Sequence, residues 1–137
     1  MKIGFTGTRK ELTAAQELEL LCKVVQLEPF EVHHGDCIGA DTRFHRICEL
    51  LGIRIIIHPP ESNTYRAFCI GNEVRKMYGY IARNWNIVDE TDVLIACPDG
   101  PQEYLRSGTW ATIRYARTQR KMIYIIYPNG QTQIEYG

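Results

Sequence analysis

Five short apolar runs, separated by helical patterns, set what this chain can fold into. The runs are residues 2–6, 30–34, 53–58, 92–97 and 122–127. Strands buried on both faces read as near-continuous aliphatic stretches, and a helix between two of them makes a parallel crossover. The sequence therefore predicts an α/β fold: a mainly parallel sheet of five or six strands, with helices on both faces. Its 137 residues suit one domain, residues 1–137, with a single core of useful size.

The helices are marked by spacing and by caps. Residues 12–27 read as the first, with Thr13 and Gln16 as a capping box and Leu18, Leu21 and Val25 along one face. The second runs from Ala40 to Leu51 on Phe44, Ile47, Cys48 and Leu51, and Gly52 stops it. Ile81, Trp85 and Val88 mark a third, with Trp85 expected in the core. A fourth starts near Gly108. Pro59-Pro60 ends the third strand, Pro128-Asn129-Gly130 is a turn, and the tail adds a short edge strand.

Composition narrows the function classes. Apolar residues make up 45% and charged residues 23%, the balance of a soluble globular protein. A formal net charge of zero argues against bulk nucleic-acid binding, which needs a basic surface. The five cysteines include no CxxC pair, and Cys22, Cys48 and Cys97 fall at apolar positions, so reduced thiols are expected rather than a disulfide framework. No signal-peptide pattern follows Met1, and no apolar run reaches the length of a membrane span. The expectation is a cytoplasmic protein with no membrane partner.

In parallel sheets ligands bind beyond the carboxyl ends of the strands, at the topological switch point, and the unusual motifs all fall at such ends. Strand one ends in Gly7-Thr8-Arg9, which is either a tight turn with a solvated Arg or a close backbone approach to phosphate oxygens. Strand two ends in His33-His34-Gly35-Asp36-Cys37-Ile38-Gly39-Ala40-Asp41. Gly35 and Gly39 suit a second backbone cradle, and Asp36 suits ribose hydroxyls. Asp41 and His45 lie four apart and can meet on one helix face, most simply as a structural pair. His33, His34, Cys37 and His45 lack metal-type spacing, so no metal site is expected.

Ser107-Gly108-Thr109 stands at a strand-to-helix junction and offers free N–H groups at a helix start, a ready anion site. Asp99 and Glu103, just before it, are the carboxylates best placed to act beside a bound phosphate; turn chemistry and a surface position are the simpler explanation of both. Residues 61–79 form a long excursion carrying Asn63, Tyr65, Arg66, Asn72, Glu73, Arg75 and Tyr78. Such segments serve as lids or partner surfaces, with Arg66 available to close over an anion and Tyr65 to stack on a base. Arg83-Asn84 lies off the Trp85 stripe and by itself reads as solvated. Arg114, Arg117, Arg120 and Lys121 are explained by the charge preference of a helix C-terminus.

Three motifs in order resemble the SLOG superfamily, and most closely its small standalone YpsA-like members. They are His34-Gly35-Asp36-Cys37-Ile38-Gly39-Ala40-Asp41 with His45; Arg83-Asn84 with Ile87-Val88 and Asp92-Val93-Leu94-Ile95-Ala96; and Arg106-Ser107-Gly108-Thr109-Trp110 with Lys121 and Pro128. The likeness covers nearly the whole chain, with Pro60, Asn63 and Arg66 of the excursion. It implies a Rossmann-like three-layer α/β/α fold and places Arg83 and Asn84 in the site. The related DNA-processing protein A family binds single-stranded DNA. The related Lonely Guy phosphoribohydrolases cleave an N-glycosidic bond of a nucleotide with an Arg and a Glu. In this chain Thr112 stands where their motif has that Glu.

The expected function is binding of a nucleotide or nucleotide-derived small molecule, for sensing or sequestration. Phosphate would sit on Ser107–Thr109 and Gly7–Arg9, with Gly35–Asp41 on the ribose side and Arg66 over it. A nucleotide N-glycosidase is the alternative, single-stranded DNA binding the third reading. No cofactor is expected; a homo-oligomer is compatible with exposed helix faces.

Overall fold

Each of the five apolar runs becomes a strand, and the computed structural model describes all of residues 1–137. In chain order the elements are β1 (Lys2–Gly7), α1 (Ala14–Leu27), β2 (Glu31–His34), α2 (Ala40–Leu50), β3 (Arg54–Ile57), β4 (Glu73–Val74), α3 (Tyr80–Asp89), β5 (Val93–Cys97), α4 (Gly108–Thr118), β6 (Met122–Ile126) and β7 (Thr132–Glu135). They form one sheet of seven strands in the order β4-β3-β2-β1-β5-β6-β7. All pairs are parallel except β6 with β7. The expected tail strand is β7 at one edge, and the sheet exceeds the expected five or six strands because the excursion contributes the two-residue β4 at the other. The chain is a Rossmann-like α/β protein.

Alternation along the strands divides the core in two. Ile3, Phe5, Val32, Ile55, Ile57 and Ile95 point to the layer formed by α1 and α2, where Leu20, Val24, Phe44 and Cys48 meet them. Leu94, Ala96, Ile123 and Ile125 point the other way, onto Val88 of α3 and Trp110, Ile113 and Ala116 of α4. Phe5 and Phe44 stack with ring centroids 4.3 Å apart, which fixes α2 over β1.

Two helices bury a different face from the one expected. In α1 the inward stripe is Gln16, Leu20 and Val24, whereas Leu18, Leu21 and Val25 are exposed. A helix with apolar residues on several sides carries more than one plausible stripe. Here the choice is made by Gln16: its amide donates to the carbonyls of Pro98 (2.9 Å) and Ile126 (2.8 Å), tying α1 to the ends of β5 and β6. The same residue closes the capping box with Thr13. In α3, Ile87 and Val88 are buried and Trp85 is 45% exposed, stacked on Tyr115 of α4 at 4.8 Å. The five cysteines are free thiols; Cys22 is exposed on α1, while Cys48 and Cys97 are buried. No helix is long and apolar enough to cross a membrane.

Candidate functional site

The strand order reverses between β1 and β5: the chain builds outward from β1 through β2, β3 and β4, then returns to add β5 on its other side. Loops leaving the two strands diverge there and open a crevice. A cavity of about 300 Å³ occupies it, at the small end of the range for ligand sites. Its walls come from the end of β1, the β2–α2 loop, the start of α3 and the loop into α4.

Ten of the residues expected to bind ligand line this cavity together: Gly7, Thr8, Arg9, Gly35, Asp41, Arg83, Asn84, Ser107, Gly108 and Thr109. Ser107 is the N-cap of α4 and its hydroxyl accepts from Trp110 N at 3.2 Å. The N–H groups of Gly108 and Thr109, one turn short of any intrahelical acceptor, are left for a ligand. On the facing wall Thr8 N donates to Cys97 O and Thr8 O accepts from Ala40 N, which clamps the β1 turn between β5 and α2. Four cationic side chains, Arg9, Lys10, Arg83 and Arg106, stand against two carboxylates, Asp41 and Asp99. In a chain with no net charge this is a local cationic pocket suited to an anion.

Arg83 departs most from its reading as a solvated residue. It is only 4% exposed, and its guanidinium donates to the carbonyls of Gly35 and His58 and to Asn84 Oδ1. A Cβ at Gly35 would run into that guanidinium, so the absence of a side chain there is what lets Arg83 reach the loop. Asp41 is buried beside it and accepts from Cys37 N at 3.1 Å. Burial raises its carboxyl from 3.8 to about 6, against the opposing pull of Arg83. Burial likewise raises the Cys37 thiol.

Four expected residues stand elsewhere. Asp36 is completely buried in left-handed backbone (φ 56°), where its carboxylate takes Arg66 Nε at 3.1 Å and Cys69 N at 2.9 Å. Asp36 and Arg66 thus fasten the excursion to the β2–α2 loop, and neither lines the cavity. Gly39 (φ 88°) packs against the Arg9 and Lys10 backbone, holding two loops together from behind. Glu103 pairs with Arg114 and Arg117, both at 3.0 Å, on the outer side of α4. Asp99 does line the cavity, but accepts from Tyr104 Oη at 3.0 Å and lies 3.7 Å from Lys10 Nζ. The Asp41–His45 pair does not form: His45 Nδ1 meets His34 Nε2 at 2.9 Å instead.

Tyr80, Tyr104 and Lys10 also line the cavity and were not anticipated. Arg9 lies over the Tyr65 ring at 4.0 Å and the Tyr80 ring at 5.4 Å, so the excursion reaches the pocket through an aromatic–guanidinium stack. An aromatic directly after Gly79, at the first position of a helix, was the signal available for Tyr80.

No protein-family model matches the chain, and no curated protein matches it. Solved structures do. The molybdenum cofactor binding protein from the phototrophic bacterium Rippkaea orientalis is similar over 92% of this chain and 76% of its own, with TM-score 0.71 and 19% identity. A structural genomics consortium target is similar over 89% and 71%, with TM-score 0.65 and 14% identity. DNA processing protein A from Streptococcus pneumoniae is similar over 90% of this chain and 49% of its own, with TM-score 0.66 and 19% identity. This chain thus spans about half the length of that last protein. At these identities the likeness is one of fold, and the fold is the Rossmann-like one that the SLOG resemblance implies.

Proposed function

We propose that the crevice between β1 and β5 binds a nucleotide or nucleotide-derived small molecule. The carrying observation is the meeting of the α4 N-terminus with the Gly7–Arg9 turn across one cationic cavity. A phosphate would take the Gly108 and Thr109 N–H groups, the Thr109 and Thr8 hydroxyls and the charge of Arg9 or Arg106. Tyr80 and Tyr104 offer apolar faces for a base, and Asp41 an acceptor for a sugar hydroxyl. Arg66 and Asp36 act only through the excursion that they anchor. One structural neighbour is named for binding a molybdenum cofactor, which agrees with a small-molecule role for such a crevice. Titration with nucleoside mono- and diphosphates, together with mass spectrometry of copurified ligand, tests the proposal. A Ser107→Ala/Thr109→Ala double variant with undiminished affinity would overturn the phosphate placement.

Asp41 favours a second reading. A pocket carboxyl raised to about 6 is poised for proton transfer near neutral pH, one of the two groups a nucleotide N-glycosidase needs. Free base released from nucleoside monophosphates, and lost in Asp41→Asn, would support it; no release at high enzyme concentration would dismiss it. Single-stranded DNA binding predicts steep salt dependence for oligonucleotides, and a flat titration at low salt would remove it.

A further inference from the structure

A second group of polar side chains lies away from the crevice, where β2 and β3 pack against the end of α3. Ring nitrogens of His33 and His58 and a carboxylate oxygen of Glu90 lie within 4.8 Å of one another. The two rings are buried and Glu90 reaches the surface. Its contacts run as a chain. His33 Nε2 is 2.7 Å from Glu31 Oε2, His33 Nδ1 is 2.7 Å from His58 Nε2, and His58 Nδ1 is 3.7 Å from Glu90 Oε2.

Three contacts between two terminal carboxylates require three hydrogens, and two neutral imidazoles carry only two. Both rings are buried, which disfavours a third hydrogen and its positive charge. The two short contacts identify where the hydrogens are: His33 Nε2–H donates to Glu31, and His58 Nε2–H donates to His33 Nδ1. His58 Nδ1 is then a bare lone pair facing a carboxylate oxygen. A cation placed between the two acceptors would satisfy both.

The gap has the size of a metal bridge. At 3.7 Å it is too wide for a hydrogen bond. Zinc–nitrogen and zinc–oxygen bonds of about 2.0–2.2 Å at a tetrahedral angle span roughly 3.4 Å. Behind His58, the His33–Glu31 pair does what outer partners of metal-binding histidines do: it takes the distal N–H and fixes tautomer and ring orientation. Glu31 is itself held by Lys2 at 3.6 Å and Arg54 at 3.5 Å. Glu90 is paired on its other oxygen with Arg75 Nε at 2.9 Å, and Arg75 is the one cation that would compete.

We propose that buried His58 Nδ1 and the partly exposed Glu90 form a site for a divalent transition metal of the zinc class, entered from the Glu90 side, with His33 and Glu31 as its orienting pair and water completing the shell. The site sits behind the crevice, joined to it by the His58 carbonyl that Arg83 bonds at 3.3 Å. Cobalt(II) alone, titrated into the full chain near pH 7.5 and followed by visible absorption and calorimetry, tests the proposal. One cobalt per chain is expected, without the sulfur-to-cobalt absorption that thiolate binding gives. Glu90→Gln and His58→Gln should each weaken binding at least tenfold, and Glu31→Gln by about tenfold. Arg75→Ala should tighten it severalfold, because it removes the competing cation. Glu90 and Arg75 are at the surface, so their variants test the site even where His58→Gln fails to fold. Absence of saturable one-to-one binding, a thiolate band, or affinity unmoved by Glu90→Gln and Arg75→Ala would overturn the proposal.

Discussion

Replacing Asp41 with Asn should stabilise this protein above about pH 6. Raising a carboxyl from 3.8 to about 6 on folding means that the charged form is disfavoured by about 3 kcal/mol in the native state. The sign follows from proton counting: the native state binds this proton more tightly than the unfolded chain. The cost is absent below pH 4, develops between about pH 4 and 6, and is constant above. Asn is isosteric with the protonated acid and keeps a carbonyl oxygen for Cys37 N. Asp41→Asn should therefore match the parent in stability near pH 3.5 and exceed it by about 3 kcal/mol at pH 7–8, close to 10 °C in Tm for a chain of this size. His33, His34 and His58, whose lowered affinity for protons destabilises the fold in acid, act equally on both proteins and cancel in the difference. Urea unfolding of both proteins across pH 3.5–8 measures the gap. A gap that does not change with pH, or one below 1 kcal/mol at pH 8, would refute the reasoning.

Other outcomes follow from packing and caps. Leu20→Ala should cost 2–5 kcal/mol by opening a cavity under α1, whereas Leu18→Ala should change stability by less than about 0.5 kcal/mol, measured by urea unfolding. Gln16→Leu leaves the Pro98 and Ile126 carbonyls without their donor and should cost about 2 kcal/mol in the same assay. Ser107→Ala removes the α4 cap and should cost about 1 kcal/mol without ligand. The loss should be larger in a phosphate-binding measurement if the same hydroxyl serves both. Gly35→Ala drives a methyl into Arg83 and should lower thermal stability and nucleotide affinity together.

The strands and the helix starts were legible because local chemistry decides them. Aliphatic runs have one place to go in a sheet covered on both faces, and the Thr13 and Ser107 hydroxyls fill their caps without help from distant residues. The crevice was legible for the same reason: β1, β2 and β5 end in glycine- and hydroxyl-bearing turns wherever they fall in the sheet. What the sequence hid depends on partners far along the chain. Gln16 looks polar until Pro98 and Ile126 turn their carbonyls toward it. Arg83 looks solvated until Gly35 and His58 do the same. Asp36 reads as a ligand residue, but its partners Arg66 and Cys69 are some thirty positions away.

The placement of the carboxylates bears on what the crevice is for. Glu103 is turned outward by two arginines, Asp99 is engaged by Tyr104 and Lys10, and Thr112 spends its hydroxyl on the Gly108 carbonyl inside α4. That leaves Asp41 as the pocket's one carboxyl without a side-chain cation or hydroxyl on its oxygens. Hydrolysis of an N-glycosidic bond commonly needs both an acid near the base and a carboxylate near the sugar, and a single carboxyl cannot be both protonated and charged at once. Holding an anion needs neither. A bound phosphate placed near Asp41 would raise its proton affinity further, so ligand uptake should carry a proton with it above pH 6. Isothermal titration of a nucleoside monophosphate in two buffers of different ionisation enthalpy would read that proton directly. A heat independent of the buffer would show that Asp41 does not feel the phosphate and would refute the placement of both within one cavity.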